Sequence, residues 1–160
     1  MSPQPFTIAV PQADLDDLRA RLERTRWIGN MHGDGWTHGL DVAYMRELVR
    51  YWQHQFDWRA EEGSINRFRH FRADVDGHGV HFIHERGRGP NPLPIILTHG
   101  FPDSFLRFGK IIPMLTDPAS HGGNPDDAFD VVAPSLPGYG SLIARSRTDR
   151  RSTSATCGTR

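Results

Sequence analysis

Apolar residues recur at three- and four-residue spacing early in the chain and at two-residue spacing later, and this change of period divides the sequence. Pro11 is placed to open a helix, where its missing N–H costs nothing. Leu15, Leu18 and Leu22 then form one apolar stripe. Asp14, Asp16 and Asp17 crowd the early turns and Arg19, Arg21, Arg24 and Arg26 the late ones, the order that suits the helix dipole. Trp27 and Ile28 leave the helix, and residues 29–39, with four glycines, read as a loop. A second helix starts near Asp41, a good N-cap, with Val42, Met45, Leu48, Val49, Trp52 and Phe56 on one wide apolar face. Periodicity of this kind means burial, so these aromatics are expected to pack into a core and not to hold a ligand. Two such helices must cover something else, and they read as a wrapper.

The period then shortens. Phe68-Arg-His-Phe-Arg-Ala-Asp-Val alternates, Asp76-Gly77 supplies a tight-turn signal, and Val80-His-Phe-Ile-His-Glu resumes extended structure. Gly87-Arg-Gly-Pro-Asn-Pro-Leu-Pro reads as a loop. The run Leu93-Pro-Ile-Ile-Leu-Thr is short and continuously apolar, as in strands buried on both faces. A helix is predicted over about residues 104–115, carrying Phe105, Phe108, Ile111, Ile112 and Leu115, and Phe129-Asp-Val-Val-Ala-Pro gives a further buried-strand pattern. Strand, turn, helix, loop, strand predicts a βαβ unit and hence a parallel sheet. Beyond Pro137-Gly-Tyr-Gly the chain becomes Ser, Thr, Arg, Ala and Gly with no period, and residues 141–160 read as disordered.

Composition changes this picture little. Apolar residues make up 37% and charged residues 24% of 160 residues, ordinary for a globular chain. The 19 basic and 19 acidic side chains balance, but residues 141–160 hold Arg145, Arg147, Arg150, Arg151 and Arg160 against Asp149 alone. The remainder is therefore acidic and offers no phosphate-binding face, and the arginine tail lacks the aromatic interleaving of a nucleic-acid binder. Cys157 is the single cysteine, which excludes an internal disulfide framework and a cysteine-based zinc site. With no spanning apolar run and no secretory leader pattern, a soluble cytoplasmic protein is expected.

The cluster with most chemical content is His99-Gly-Phe-Pro-Asp-Ser-Phe105, where a buried strand ends and a helix begins, the place where open α/β sheets put their sites. Gly100 permits a sharp turn and Pro102 fixes its exit, which leaves the Phe101 N–H free to point into a cleft as an oxyanion donor. Spacing alone leaves this reading and a plain strand-to-helix turn equally open. His78, His81 and His84 recur every three residues, but on a strand His81 faces away from the other two, so they do not converge on a metal. Gly87-x-Gly89 lacks the remainder of a dinucleotide fingerprint.

The His99-Gly-Phe-Pro turn after Ile95-Ile-Leu-Thr, with Pro134-Ser-Leu-Pro-Gly-Tyr-Gly140 downstream, resembles the α/β-hydrolase fold and, more specifically, the microsomal-type epoxide hydrolases. Phe6-Thr-Ile, Arg24-Thr-Arg-Trp27, Gly35-Trp, Gly39-Leu-Asp, Tyr44-Met-Arg-Glu-Leu, Tyr51-Trp-Gln, Phe56-Asp-Trp-Arg, Asn66 and Asp76-Gly are similar to that family's N-terminal region. The resemblance covers about residues 5–140. It implies an α/β fold in which an N-terminal helical wrapper (1–67) precedes the first strands of an incomplete α/β-hydrolase sheet (68–140). It also implies a two-step reaction on a small apolar epoxide: a carboxylate opens the ring to an ester, and histidine-activated water cleaves the ester to a diol. Phe101 would stabilise the second step through its N–H, with His99, Gly100 and Pro102 as the supporting turn, lid tyrosines helping to open the ring, and no metal or cofactor.

The departures matter as much. The family nucleophile sits in Gly-x-Asp-x-Gly, and neither that pattern nor Gly-x-Ser-x-Gly occurs here; Asp34, between Gly33 and Gly35, has the wrong spacing. The nucleophile and the water-activating base are therefore both absent, and residues 141–160 resemble nothing in the family. The expectation is an inactive, marginally stable fragment with an out-of-frame tail, testable in the DNA downstream of codon 140. Asp103 stands where the family commonly has glycine, a change expected to alter the turn. The alternatives are a non-catalytic domain that pairs its sheet edge with a full-length relative, and a hydrolase of esters or haloalkanes, against which the wrapper argues.

Overall fold

A computed structural model describes residues 2–29, 35–37, 39–75, 77–136 and 139. The predictions for much of the 29–39 loop, for Asp76 and for residues 141–160 lie outside the described residues. The chain divides into two compact units, residues 8–64 and residues 1–7 with 65–160.

The first unit is helical. Helix α1 (Gln12–Glu23) follows Pro11 and buries Leu15, with Leu18 and Leu22 half-buried on the same stripe. Helix α2 (Val42–His54) begins as expected at Asp41, whose carboxylate accepts the Tyr44 N–H at 2.7 Å. Its apolar face does not go into a core. No α2 residue is buried, and Leu48 and Trp52 are 41% and 44% exposed. Aromatic contact is made locally instead, Trp36 on Tyr44 at 5.1 Å and the Arg46 guanidinium over Trp27 at 5.0 Å. A third helix, α3 (Trp58–Ile65), escaped the periodicity because Gly63 interrupts it, but Asp57 caps it through the Ala60 N–H at 3.0 Å. Glu62 on α3 accepts the Val10 N–H at 2.7 Å and ties the entry of α1 to it; that bond and the Arg59 guanidinium hold its carboxyl below the usual range.

The second unit is built on a mixed sheet. Its described strands are β1 (Gln4–Phe6), β2 (His70–Val75), β3 (His78–Glu85), β4 (Leu93–Ile96) and β5 (Phe129–Pro134), in the order β1-β2-β3-β5-β4. The β2–β3 hairpin turns where Gly77 takes φ +79°, its N–H donating to the Asp74 carboxylate at 2.9 Å. β4 and β5 pair in parallel, as the βαβ pattern predicts, and β3 pairs with β5 antiparallel.

In this unit two further expectations change. The single helix over 104–115 is a 3-10 turn (Phe105–Gly109) followed by α4 (Ile111–Thr116). Pro113 has no N–H to donate, so it fits the first turn of a new helix and not the middle of a continuous one. β4 was expected to be buried on both faces between neighbours. It is the sheet's edge, with Leu93 and Ile96 64% and 68% exposed, and only β5, inside the sheet, buries Val131 and Ala133 completely. Burial in a parallel strand comes from neighbours, and within these residues β4 has one. The core of the unit is Ile83, Phe105, Ile112, Ala128, Val131 and Ala133.

Behind β4 and β5, the loop from Gly87 to Pro92 is pinned at its base. The Asp130 carboxylate accepts the Gly87 N–H at 2.8 Å and pairs with Arg86 at 2.6 Å. A Cβ at Gly89 would run into the Pro125 carbonyl, so this glycine is there for close approach of two backbones.

Candidate functional site

β4 ends at Ile96, and its last ladder bond runs from the Leu97 N–H to the Val132 carbonyl at 2.9 Å. The chain then enters the turn His99–Asp103, closed by the Asp103 N–H donating to the Gly100 carbonyl at 2.9 Å across a cis Phe101–Pro102 peptide. Asp103 is bonded into the turn by its side chain. Its carboxylate accepts the Ser104 N–H at 2.8 Å and pairs with Arg107, and these partners hold it below the usual carboxylate range. Ser104 then caps the 3-10 turn, accepting the Leu106 N–H at 3.3 Å.

The four residues singled out from the sequence therefore lie on one turn, with different environments. His99 is buried, Gly100 and Pro102 are exposed, and Phe101 is 85% exposed. The Phe101 N–H makes no hydrogen bond among the described residues, whereas the Asp103 and Ser104 amides that follow Pro102 are both used. An N–H with no partner among the described residues, on a braced turn, can donate to an anionic oxygen.

His99 is a brace. Its Nε2 accepts the Leu136 N–H at 3.2 Å, its Nδ1 lies 3.2 Å from the Gly100 carbonyl, and its ring packs edge-on against Tyr139 at 5.2 Å. Both ring nitrogens are thus engaged by backbone, which ties the turn after β4 to the segment after β5.

A second group was not anticipated. His70 on β2 and His81 on β3 are 4% and 0% exposed and meet at 2.9 Å, Nδ1 to Nε2. His81 Nδ1 continues to Ser135 Oγ at 2.8 Å, and His70 Nε2 to the Ile65 carbonyl at 2.9 Å. Phe105 lies edge-on to both rings, at 5.8 and 5.0 Å, and Phe6 on β1 covers His81 at 5.7 Å. Burial lowers the His81 pKa to about 4, with His70 and Arg72 acting in the same direction. The sequence carried one usable signal, that His81 alternates against His78 and His84. It held none for the partner, because His70 and Ser135 are 11 and 54 residues away. No group of three metal-ligating side chains occurs among the described residues. Two cavities, of about 220 and 320 Å³, lie away from the turn, one bordered by Arg88, Thr116 and Asp117 and the other by Phe6, Asn66 and His70. No helix of the described residues is long and apolar enough to cross a membrane.

Comparison with known proteins bears on this arrangement. Residues 3–108 match the family model described as the epoxide hydrolase N terminus. A Stigmatella aurantiaca protein provisionally named an epoxide hydrolase is 50% identical over 85% of this chain and 31% of its own length. Epoxide hydrolase 1 of Oryctolagus cuniculus is 36% identical over 90% of this chain and 32% of its own length. The solved structure of the Aspergillus niger epoxide hydrolase superposes with a TM-score of 0.74 at 29% identity, covering 87% of this chain and 36% of that one. The chain thus spans about a third of the length of the relatives it matches.

Proposed function

The chain belongs to the epoxide hydrolase family, and from that premise we propose that it supplies the oxyanion half of an epoxide-opening site. In this reading the nucleophilic carboxylate and the water-activating histidine come from polypeptide other than these 160 residues. The substrate is a small apolar epoxide. The carboxylate attacks a ring carbon and the C–O bond breaks, leaving an alkoxide that takes up a proton and an ester joined to the protein. Water, losing its proton to the base, then attacks the ester carbonyl, and the negative charge gathering on that oxygen meets the Phe101 N–H; collapse of this intermediate breaks the acyl C–O bond, the departing diol oxygen takes the proton from the base, and the carboxylate is regenerated. His99, Gly100 and Pro102 act as the supporting turn. No step calls for a metal or cofactor.

The observation that carries this reading is that the Phe101 N–H, on a turn braced by His99, has no partner among the described residues. The sequence contains no Gly-x-Asp-x-Gly elbow, so the 160-residue chain alone is expected to form no diol from a styrene-oxide-like substrate. Joining residues 1–136 to the remaining two-thirds of a family member should restore diol formation. Diol above a heat-killed control from the chain alone would defeat the reading.

The free edge of β4 favours a second reading, a non-catalytic partner that pairs with a full-length relative. Leu93, Ile95 and Leu97 turn their backbone groups to β5, which leaves those of Pro94 and Ile96 facing outward beside exposed Leu93 and Ile96 side chains. Co-purification with an intact hydrolase, lost on Ile96→Lys, would support it. A cytoplasmic location belongs with either reading.

A further inference from the structure

The buried imidazoles on either side of Ser135 and Leu136 have a property that goes beyond the oxyanion reading. The Ile65 carbonyl can only accept, so His70 must donate to it through Nε2–H. With neutral rings, His70 Nδ1 is then an acceptor, His81 must donate through Nε2–H, and His81 Nδ1 must accept from the Ser135 hydroxyl. The reverse orientation would leave the hydroxyl proton of Ser135, 2% exposed, without an acceptor, and no buried side-chain nitrogen or oxygen among the described residues lacks a partner. On the other side, the Leu136 N–H donates to His99 Nε2, so His99 must carry its proton on Nδ1, where it donates to the Gly100 carbonyl. Two one-way lines of hydrogen bonds therefore start at consecutive residues and end on backbone carbonyls, those of Ile65 and Gly100.

We propose that His70, His81 and Ser135 are positioning residues. Through the line they form, they fix the segment after β5 and, through Leu136 and His99, the placement of the Phe101 N–H. The Ser135 N–H adds a third tie, donating to the His81 carbonyl at 2.9 Å. Phe105 packs on both rings two residues after Asp103, so the exit of the turn leans on the same pair. Ser135, His81 and His70 have the composition of a nucleophile with its base, but their burial excludes substrate and the hydroxyl faces Nδ1 inside the core. A polar core line of this type specifies one arrangement of β2, β3 and the chain after β5, because any slip strands a buried donor. That the placed group is an oxyanion donor rests on the function proposed above; the lines themselves do not.

The test uses the full 160-residue chain, labelled with 15N at histidine, and two-bond imidazole correlations at pH 7.5. His70 and His81 are expected as Nε2–H tautomers and His99 as the Nδ1–H tautomer, the form that free imidazole side chains disfavour in water. His99 found as Nε2–H, or His70 or His81 as Nδ1–H, overturns the proposal. In a second measurement, Ser135→Ala should speed hydrogen exchange at the Leu136 amide by about tenfold or more relative to Val131, the loss of about one buried hydrogen bond, and Ser135→Thr should restore it. Unchanged exchange at Leu136 overturns the positioning role. If Ser135→Ala does not fold, the tautomers of the unaltered chain still decide. Neither measurement involves an epoxide, so its failure is separable from failure of the diol assay.

Discussion

Acidification from pH 7 to 4.5 should loosen the sheet unit before the paired carboxylates of Asp103, Asp117 and Asp130 are protonated. His81 exposes none of its surface, and its pKa falls from 6.5 to about 4 on folding, because burial disfavours the imidazolium. Between those values the unfolded chain binds a proton that the folded chain does not, so stability is complete above about pH 6.5 and is lost as pH falls towards 4. The slope approaches about 1.4 kcal/mol per pH unit, and the fall from 6.5 to about 4 sets a ceiling of about 3 kcal/mol. That is a large share of the roughly 5–15 kcal/mol that holds an ordinary domain together. His84, also lowered chiefly by burial, acts in the same direction. Asp103, Asp117 and Asp130 have lowered values and lose their partners only at lower pH, so their contribution falls in a separate window. The measurement is urea unfolding at half-unit steps from pH 7.5 to 4.5. It should be followed by far-ultraviolet dichroism, because Trp27, Trp36, Trp52 and Trp58 all lie in the helical unit. A flat profile, a rise in stability on acidification, or a slope that His81→Gln leaves unaltered would refute the reasoning.

Other consequences are simpler to check. Gly89→Ala should destabilise the sheet unit by about 1–3 kcal/mol, seen as a lower urea midpoint, because the added carbon meets the Pro125 carbonyl. Asp41→Ala should cost about 1 kcal/mol of helix stability and lower the dichroism of the helical unit, since the Tyr44 N–H loses its acceptor. Phe101, Ile96, Leu93, Leu106 and Met114 are all more than half exposed, so the purified chain should bind a dye specific for apolar surface and melt over a broad range, and Ile96→Lys should reduce the binding. A sharp cooperative melt without dye binding would count against this. In an enzyme completed with the rest of a family member, Phe101→Pro, which removes the N–H, should lower diol formation by roughly 10²–10³.

The elements with local signals were legible from the residues alone. Asp41 marked the start of α2, Gly77 marked the hairpin, and the alternation after Phe68 marked β2 and β3. The turn at His99 was legible as a turn, because glycine and proline constrain the backbone wherever they stand. The Gly63-interrupted α3 and the break before Pro113 were not, since both depend on which of two weak local preferences is reinforced by contacts elsewhere.

The sequence by itself determined the periods, the caps, the parallel βαβ connection and the motif order that places the chain among the epoxide hydrolases. Tertiary structure decided what those features touch. It put the apolar run of β4 at an edge, left the striped face of α2 half exposed, and joined His70, His81 and Ser135 across 11 and 54 residues into one directed line. Periodicity is a property of neighbours along the chain and survives in the sequence. Burial and hydrogen-bond partnership are properties of neighbours in space, and for a buried histidine they fix both its charge and the nitrogen that carries its proton.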